Sequence, residues 1–196
     1  MIPRHLQVAV GLMLIVLIAL GFYAWHLKRR SDAIQALQAD TRPVAPPVAG
    51  SPQPITLFVA YDEEGLLRQR QVSVTLPAEP SERARQALRA LLAVYLEQPS
   101  PHPLGNGTDV NDVYLIGDNT AVINMNAAFA EAHRSGILVE QMTIVSMLQT
   151  VSVAVPKITR VRILVDGKQR ETLAGHVDLS GYFDMALINQ FAKELQ

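Results

Sequence analysis

From residue 55 onward the chain alternates β-branched runs with stretches of helical period. Ile55 to Tyr61 mixes Ile, Thr, Leu, Phe and Val, a strand composition. Asp62-Glu63-Glu64-Gly65 reads as a turn, and Leu67 to Leu76 as a second strand with Val72, Val74 and Leu76 on one face. Pro80-Ser81-Glu82 opens a helix with Ser81 as its expected N-cap. Ala84, Leu88, Leu91 and Tyr95 then line one apolar stripe of that helix. After the Pro/Gly loop Pro99 to Thr108, the strands Val110 to Ile116 and Ala121 to Met125 meet at Gly117-Asp118-Asn119, a hairpin signal.

A second, more apolar helix is predicted from Leu138 to Ala154, ended by Pro156. Met142, Val145, Leu148 and Ser152 share one side, and Ile144, Met147 and Val151 broaden the face to be buried. Ile158 to Val165 is the most hydrophobic strand, and Asp166-Gly167 turns it into a short strand Glu171 to Leu173. Leu187, Phe191 and Leu195 predict one or two last amphipathic turns within Met185 to Leu195. Two main helices cannot cover both faces of a sheet. The expected class is therefore α+β: a two-layer α/β sandwich whose mixed, mostly antiparallel sheet carries the helices on one face. A domain of about 140 residues buries roughly two-thirds of its unfolded surface, enough to fold alone.

The N-terminal pattern is different. Leu6 to Trp25 carries no charge and has the length, about 20 residues, that a helix needs to cross a bilayer. Phe22, Tyr23 and Trp25 cluster at its distal end as interfacial aromatics do. A cleavable signal would have a shorter apolar core and a small-x-small site. This run ends in Tyr23, Trp25 and His26, so an uncleaved anchor is expected. Ser31 to Asp40 can prolong the helix, whereas Pro43, Pro46, Pro47, Pro52 and Pro54 dictate an extended spacer. The expected organisation is a tail at 1–5, a transmembrane anchor at 6–26, a juxtamembrane and Pro-rich linker at 27–54, a globular domain at 55–184 and an amphipathic tail at 185–196. Lys28, Arg29 and Arg30 outweigh Arg4, and the positive-inside rule then points the globular part at the cytoplasm.

Composition removes several chemistries. With 49% apolar residues and a formal net charge of −1, nothing suggests disorder or a nucleic-acid footprint. The cysteine count is 0, which excludes disulfides, thiolate metal sites and cysteine nucleophiles. Glu171, His176 and Asp178 have metal-ligand chemistry, but the corner they occupy reads as structural: Gly175 bends the chain, His176 bonds backbone and Asp178 makes a turn. Asp166-Gly167-Lys168 is hairpin chemistry before it is a catalytic pair. Ser146 and Ser152 lack a nucleophile elbow, and Gly105-Asn106-Gly107-Thr108 lacks the ending of a phosphate loop. His102 and His133 fall in polar connectors and read as solvated. No catalytic residue, metal or cofactor is expected.

The order Leu164-Val165-Asp166-Gly167, then Thr172-Leu173-Ala174-Gly175-His176, resembles the closing stretch of GerMN domains, the module of spore-germination proteins of the GerM type. The likeness runs from Ile55 to about Phe183, through Ala84 to Tyr95, Pro101-His102-Pro103-Leu104-Gly105, Val113 to Asp118, Phe129 and Pro156. Asn124-Met125-Asn126 departs from it, standing where relatives carry an acidic segment. The resemblance implies a non-enzymatic scaffold or protein-interaction module in sporulation, germination or envelope assembly. It also implies a single-pass protein of the cytoplasmic membrane, its domain extracytoplasmic, with protein partners, self-association and no nucleic acid. A domain binding a wall polymer or small ligand, with Pro99 to Thr108 as its lip, is the alternative; a hydrolase is the third reading.

Overall fold

The computed structural model describes residues 52–196, so the expected anchor at 6–26 and almost all of the linker lie outside the described residues. Ten elements follow: β1 (Gln53–Tyr61), β2 (Leu66–Val74), α1 (Pro80–Leu96), β3 (Val110–Ile116), β4 (Thr120–Met125), α2 (Ala127–Glu131), α3 (Ile137–Ala154), β5 (Arg160–Val165), β6 (Phe183–Asp184) and α4 (Met185–Glu194). The fold is α+β, but its strands form two sheets. β1 and β2 make an antiparallel ribbon, and β3-β4-β5-β6 a four-stranded sheet in which β4 and β5 run parallel.

Helix side chains keep the two sheets apart. On the edge of β1 that faces away from β2, the Phe58 amide donates to Thr150 Oγ1 of α3 (3.0 Å). The Ala60 amide donates to the Tyr95 hydroxyl of α1 (2.9 Å). Buried amides must find partners, and here the helices supply them where a third strand would otherwise pair. Burial pushes the Tyr95 hydroxyl well above its usual pKa, so it remains a neutral phenol.

The core lies between these layers. α1 contributes Leu88, Leu91 and Tyr95, and the inner face of the large sheet contributes Val113, Ile123, Met125 and Ile163. α3 is buried nearly all round, including Thr143, Ser146 and Thr150, as expected of a helix without a polar face. Its length and hydropathy would suit a membrane span, yet most of it is packed inside the domain.

Several local expectations change. The N-cap of α1 is Glu79, not Ser81: its carboxylate accepts from the amides of Ser81 (3.1 Å) and Glu82 (2.7 Å), with Pro80 opening the first turn. β1 starts at Gln53, inside the stretch expected to be linker. The C-terminal turns are a ten-residue helix, capped by Asp184, that buries Met185, Ile188 and Ala192. Asp166-Gly167 does form the tight turn, with Val165 and Lys168 exchanging both backbone bonds. No strand Glu171–Leu173 follows it, because that segment closes a small loop through Leu179 N–H to Glu171 O (2.8 Å) and Leu173 N–H to Val177 O (3.0 Å). β6 takes the place beside β5.

Removing either acceptor on β1 strands a buried amide. Tyr95→Phe and Thr150→Val are each expected to lower stability by about 1–3 kcal/mol, measured as a lowered urea midpoint with an unchanged m-value.

Candidate functional site

The closed loop at residues 171–179 wraps a carboxylate. Glu140, in the first turns of α3, is completely buried. Its Oε2 accepts from the amides of Ala174 (3.1 Å), His176 (3.1 Å) and Val177 (2.9 Å). Its Oε1 accepts from His176 Nδ1 (2.8 Å) and from the amide of Gly136 (3.2 Å), the N-cap of its own helix. Burial alone would raise the carboxyl pKa; the Val177, His176, Ala174 and Gly136 donors outweigh it and hold Glu140 at about 2. Gly175 sits at φ 116°, where other residues are strained, and this bend lets the Ala174, His176 and Val177 amides on either side of it point at one carboxylate. His176 was expected to bond backbone; its ring instead binds the Glu140 carboxylate, a partner far away in sequence. Asp178 makes the expected turn, accepting from Ser180 N–H (2.7 Å). Glu171 joins neither cluster through its side chain, and no metal-binding group of three or more His, Asp or Glu occurs among the described residues.

A second polar cluster overturns the expectation of solvated histidines. His102 and His133 are both buried. The Nε2 atoms of both rings converge on Thr143 Oγ1, at 2.6 and 2.8 Å. His102 Nδ1 donates to Asp62 Oδ1 (2.5 Å), and Arg134 pairs with the other oxygen of Asp62. Burial would raise the Asp62 carboxyl, but His102 and Arg134 hold it below the usual carboxylate range. Burial pulls the His133 pKa down and disfavours the protonated ring, partly offset by its bond to the Arg134 carbonyl. Carboxylate, imidazole and hydroxyl stand in the order of a hydrolase triad. Yet Thr143 Oγ1 is fully buried, also contacts the Val139 carbonyl (3.0 Å), and lines neither of the cavities described below. The cluster fastens the Pro99–Thr108 loop to α3. Gly105 seats the same loop against the C-cap of α2, since a Cβ there would lie 2.2 Å from the Ala132 Cβ.

Asn126 and Asn124 account for the departure noted in the sequence. Asn126 caps α2, accepts from the Asp109 amide (3.1 Å) and donates to the Gly107 carbonyl (2.6 Å), a bond no carboxylate could give. Asn124 Oδ1 accepts from Gly167 N–H (2.6 Å).

A concavity of about 800 Å³ among the described residues is a groove between α3 and α4 whose end wall is Gly175-His176-Val177-Asp178. Its floor is buried Ile144, Val145 and Ile188, while Ile137, Leu187 and Phe191 stand exposed on its walls. Tyr182 forms one edge, with the guanidinium groups of Arg160 and Arg162 stacked on its ring at 4.5 and 5.2 Å. A smaller cleft of about 430 Å³ lies between Tyr61–Glu64, Arg70 and Pro99–Pro101. Sequence reasoning missed Glu140, Thr143 and the groove. A charged residue within an otherwise apolar helix was the one available signal.

The sequence matches the family model described as Germane: Sporulation and spore germination, over residues 56–171, more than half of the chain. The match stops just before the Thr172–His176 ending. No curated protein matches. Solved structures with similarity to this chain include the following three. The tandem GerMN domains of the sporulation protein GerM from Bacillus subtilis share 21% identity at a TM-score of 0.50, over 68% of this chain and 46% of that one. The first GerMN domain of the same protein shares 20% identity at 0.49, over 68% of this chain and 98% of that one. A candidate lipoprotein from Clostridium perfringens shares 22% identity at 0.47, over 73% and 93%. At these identities the tandem GerMN structure supports the fold alone.

Glu140 has a folded pKa of about 2 against the usual 4.5. Being depressed, it contributes stability that is complete above about pH 4.5 and is lost as pH falls towards 2, about 3 kcal/mol in all. In Glu140→Gln that part of the acid dependence should vanish, leaving the decline due to Asp62, Glu79 and Asp178, which titrate in the same direction. Urea unfolding at stepped pH on both proteins checks it; parallel curves would refute the assignment. Thr143→Val should cost about 1–3 kcal/mol by stranding two imidazole nitrogens.

Proposed function

This chain belongs to the Germane family of sporulation and spore germination, and from that we propose that it is a non-enzymatic protein-interaction module. Its docking surface is the groove between α3 and α4. The observation that carries this reading is the clustering of apolar side chains: Ile137, Tyr182, Leu187 and Phe191, four of the eight exposed large hydrophobics among the described residues, line that one groove. Such concentration of exposed apolar side chains in one groove marks an interaction site. Glu140 supports it by fixing the end wall in place, and the buried, fully engaged Thr143 hydroxyl argues against acyl-transfer chemistry.

We place the module at a cytoplasmic membrane, tethered through residues 6–26 and followed by the proline-rich segment. On the family resemblance, and against the Lys28-Arg29-Arg30 count, we put the domain on the extracytoplasmic side. Its partners are then envelope proteins of a sporulation- or germination-type assembly.

A photo-crosslinking amino acid at Leu187 in the full chain, expressed in its own host, is expected to give a discrete protein adduct that Phe191→Glu abolishes. Expression without any adduct would sink the docking reading. Orientation is checked separately: with a cysteine count of 0, Ser180→Cys gives a single labelling position. Labelling of whole cells by an impermeant maleimide is expected; labelling after lysis alone would put the domain in the cytoplasm.

A further inference from the structure

We infer that the occupant of the groove is an amphipathic helix of about three turns with Lys or Arg at its flanks; this deepens the docking reading above and rests on it. Three features of the groove point to that occupant.

The first is the nature of the walls. Both are sides of α-helices, whose amides and carbonyls are already paired within each helix. An extended segment would bring a row of unpaired backbone groups and find no ladder to join. A helix brings its backbone bonds with it, and presents side chains alone.

The second is spacing. On α3 the groove is lined at Ile137, Gln141, Ile144 and Val145, and along α4 and its C-cap at Leu187, Ile188, Phe191 and Leu195. Each set is one stripe of a helix at i, i+4 and i+7 or i+8, so the groove runs along two helix faces side by side. The α4 stripe extends about 12 Å at the rise of an α-helix. A third helix can settle its ridge of apolar residues between two such stripes, as helices pack in proteins generally. The buried floor and exposed walls give that ridge a hydrophobic bed of the right length.

The third is charge. Three carboxylates, Asp178, Asp184 and Glu194, line the groove against two guanidinium groups, Arg160 and Arg162, stacked on Tyr182 at one edge, which leaves the rim net acidic. The Glu140 carboxylate beneath the end wall is already saturated by its five donors and has nothing to offer a ligand. The rim carboxylates therefore select the partner. An occupant with acidic flanks would be repelled, while one with Lys or Arg beyond its apolar ridge meets them at the rim.

The test uses the full chain in phosphatidylcholine nanodiscs, a zwitterionic lipid that does not itself attract cationic peptides. The probe is a fluorescein-labelled synthetic helix of about 15 residues with Leu at i, i+3, i+4 and i+7 and Lys at both flanks. Its partner probe has Glu at the flanks. Fluorescence anisotropy is expected to show the Lys-flanked helix binding about tenfold more tightly than the Glu-flanked one. Leu187→Glu and Phe191→Glu, both at exposed positions, should abolish that binding. Glu194→Lys, at an exposed helix C-terminus that tolerates a cation, should narrow the preference. Equal binding of the two probes, or binding indifferent to Leu187→Glu, overturns the proposal. So does competition by excess unlabelled full chain, which would make a second copy the occupant. If neither probe binds while the cellular adduct at Leu187 persists, the groove docks something else: the inference fails and the docking reading stands. Absence of both overturns the two together.

Discussion

A carboxylate with no exposure to water is tolerable when every lone pair it presents is met by a donor. Glu140 meets that condition through two regions far apart in sequence: the N-cap of α3 and the loop 174–177. Its position is favourable on both sides. The positive end of the helix dipole lies at Gly136, and the bend at Gly175 turns the Ala174, His176 and Val177 amides onto one oxygen. The carboxylate thus does for the C-terminal segment what a sheet would otherwise do, pairing its backbone without a neighbouring strand. It holds residues 171–179 as a loop where a short strand Glu171–Leu173 was expected. It also explains why the groove has a fixed end wall.

The same exchange of side chain for strand operates at the opposite side of the core. The outer edge of β1 is closed by a threonine and a tyrosine from the two main helices. The ribbon β1–β2 is accordingly held by the helix layer and not by the four-stranded sheet. With α1 and α3 engaged there, α4 packs along the remaining side of α3 and leaves the apolar seam that becomes the groove. Buried polar contacts are directional, so they fix which helix face meets which strand; the apolar core alone would permit several registers.

The two histidines show how a polar loop becomes part of a core. Pro99–Thr108 has the composition of an exposed connector, yet it is drawn in by His102 and seated against α2 at Gly105. Its deepest contact is a single threonine hydroxyl shared by two imidazoles. Buried hydrogen-bonded groups of this kind belong equally to active sites and to fastenings. Here the fully enclosed hydroxyl decides between them.

Periodicity made much of this fold legible. The stripe Ala84, Leu88, Leu91, Tyr95, the hairpin at Gly117-Asp118-Asn119, the apolar helix before Pro156 and the Asp166-Gly167 turn are all where local pattern puts them, because hydrophobic period and turn chemistry act over a few residues. The closing motif through His176 likewise carried the family resemblance, though not its physical reason. What local pattern could not carry was pairing between distant residues. Glu140 looks like an ordinary charge on a helix until loop 174–177 arrives to bury it. His102 and His133 look solvated until Thr143 stands between them. Leu187 and Phe191 look like the inner face of a terminal helix until packing against α3 leaves them outside. Each of these was decided by tertiary structure, because burial and hydrogen-bond satisfaction are properties of a site assembled from separate segments and not of any one of them.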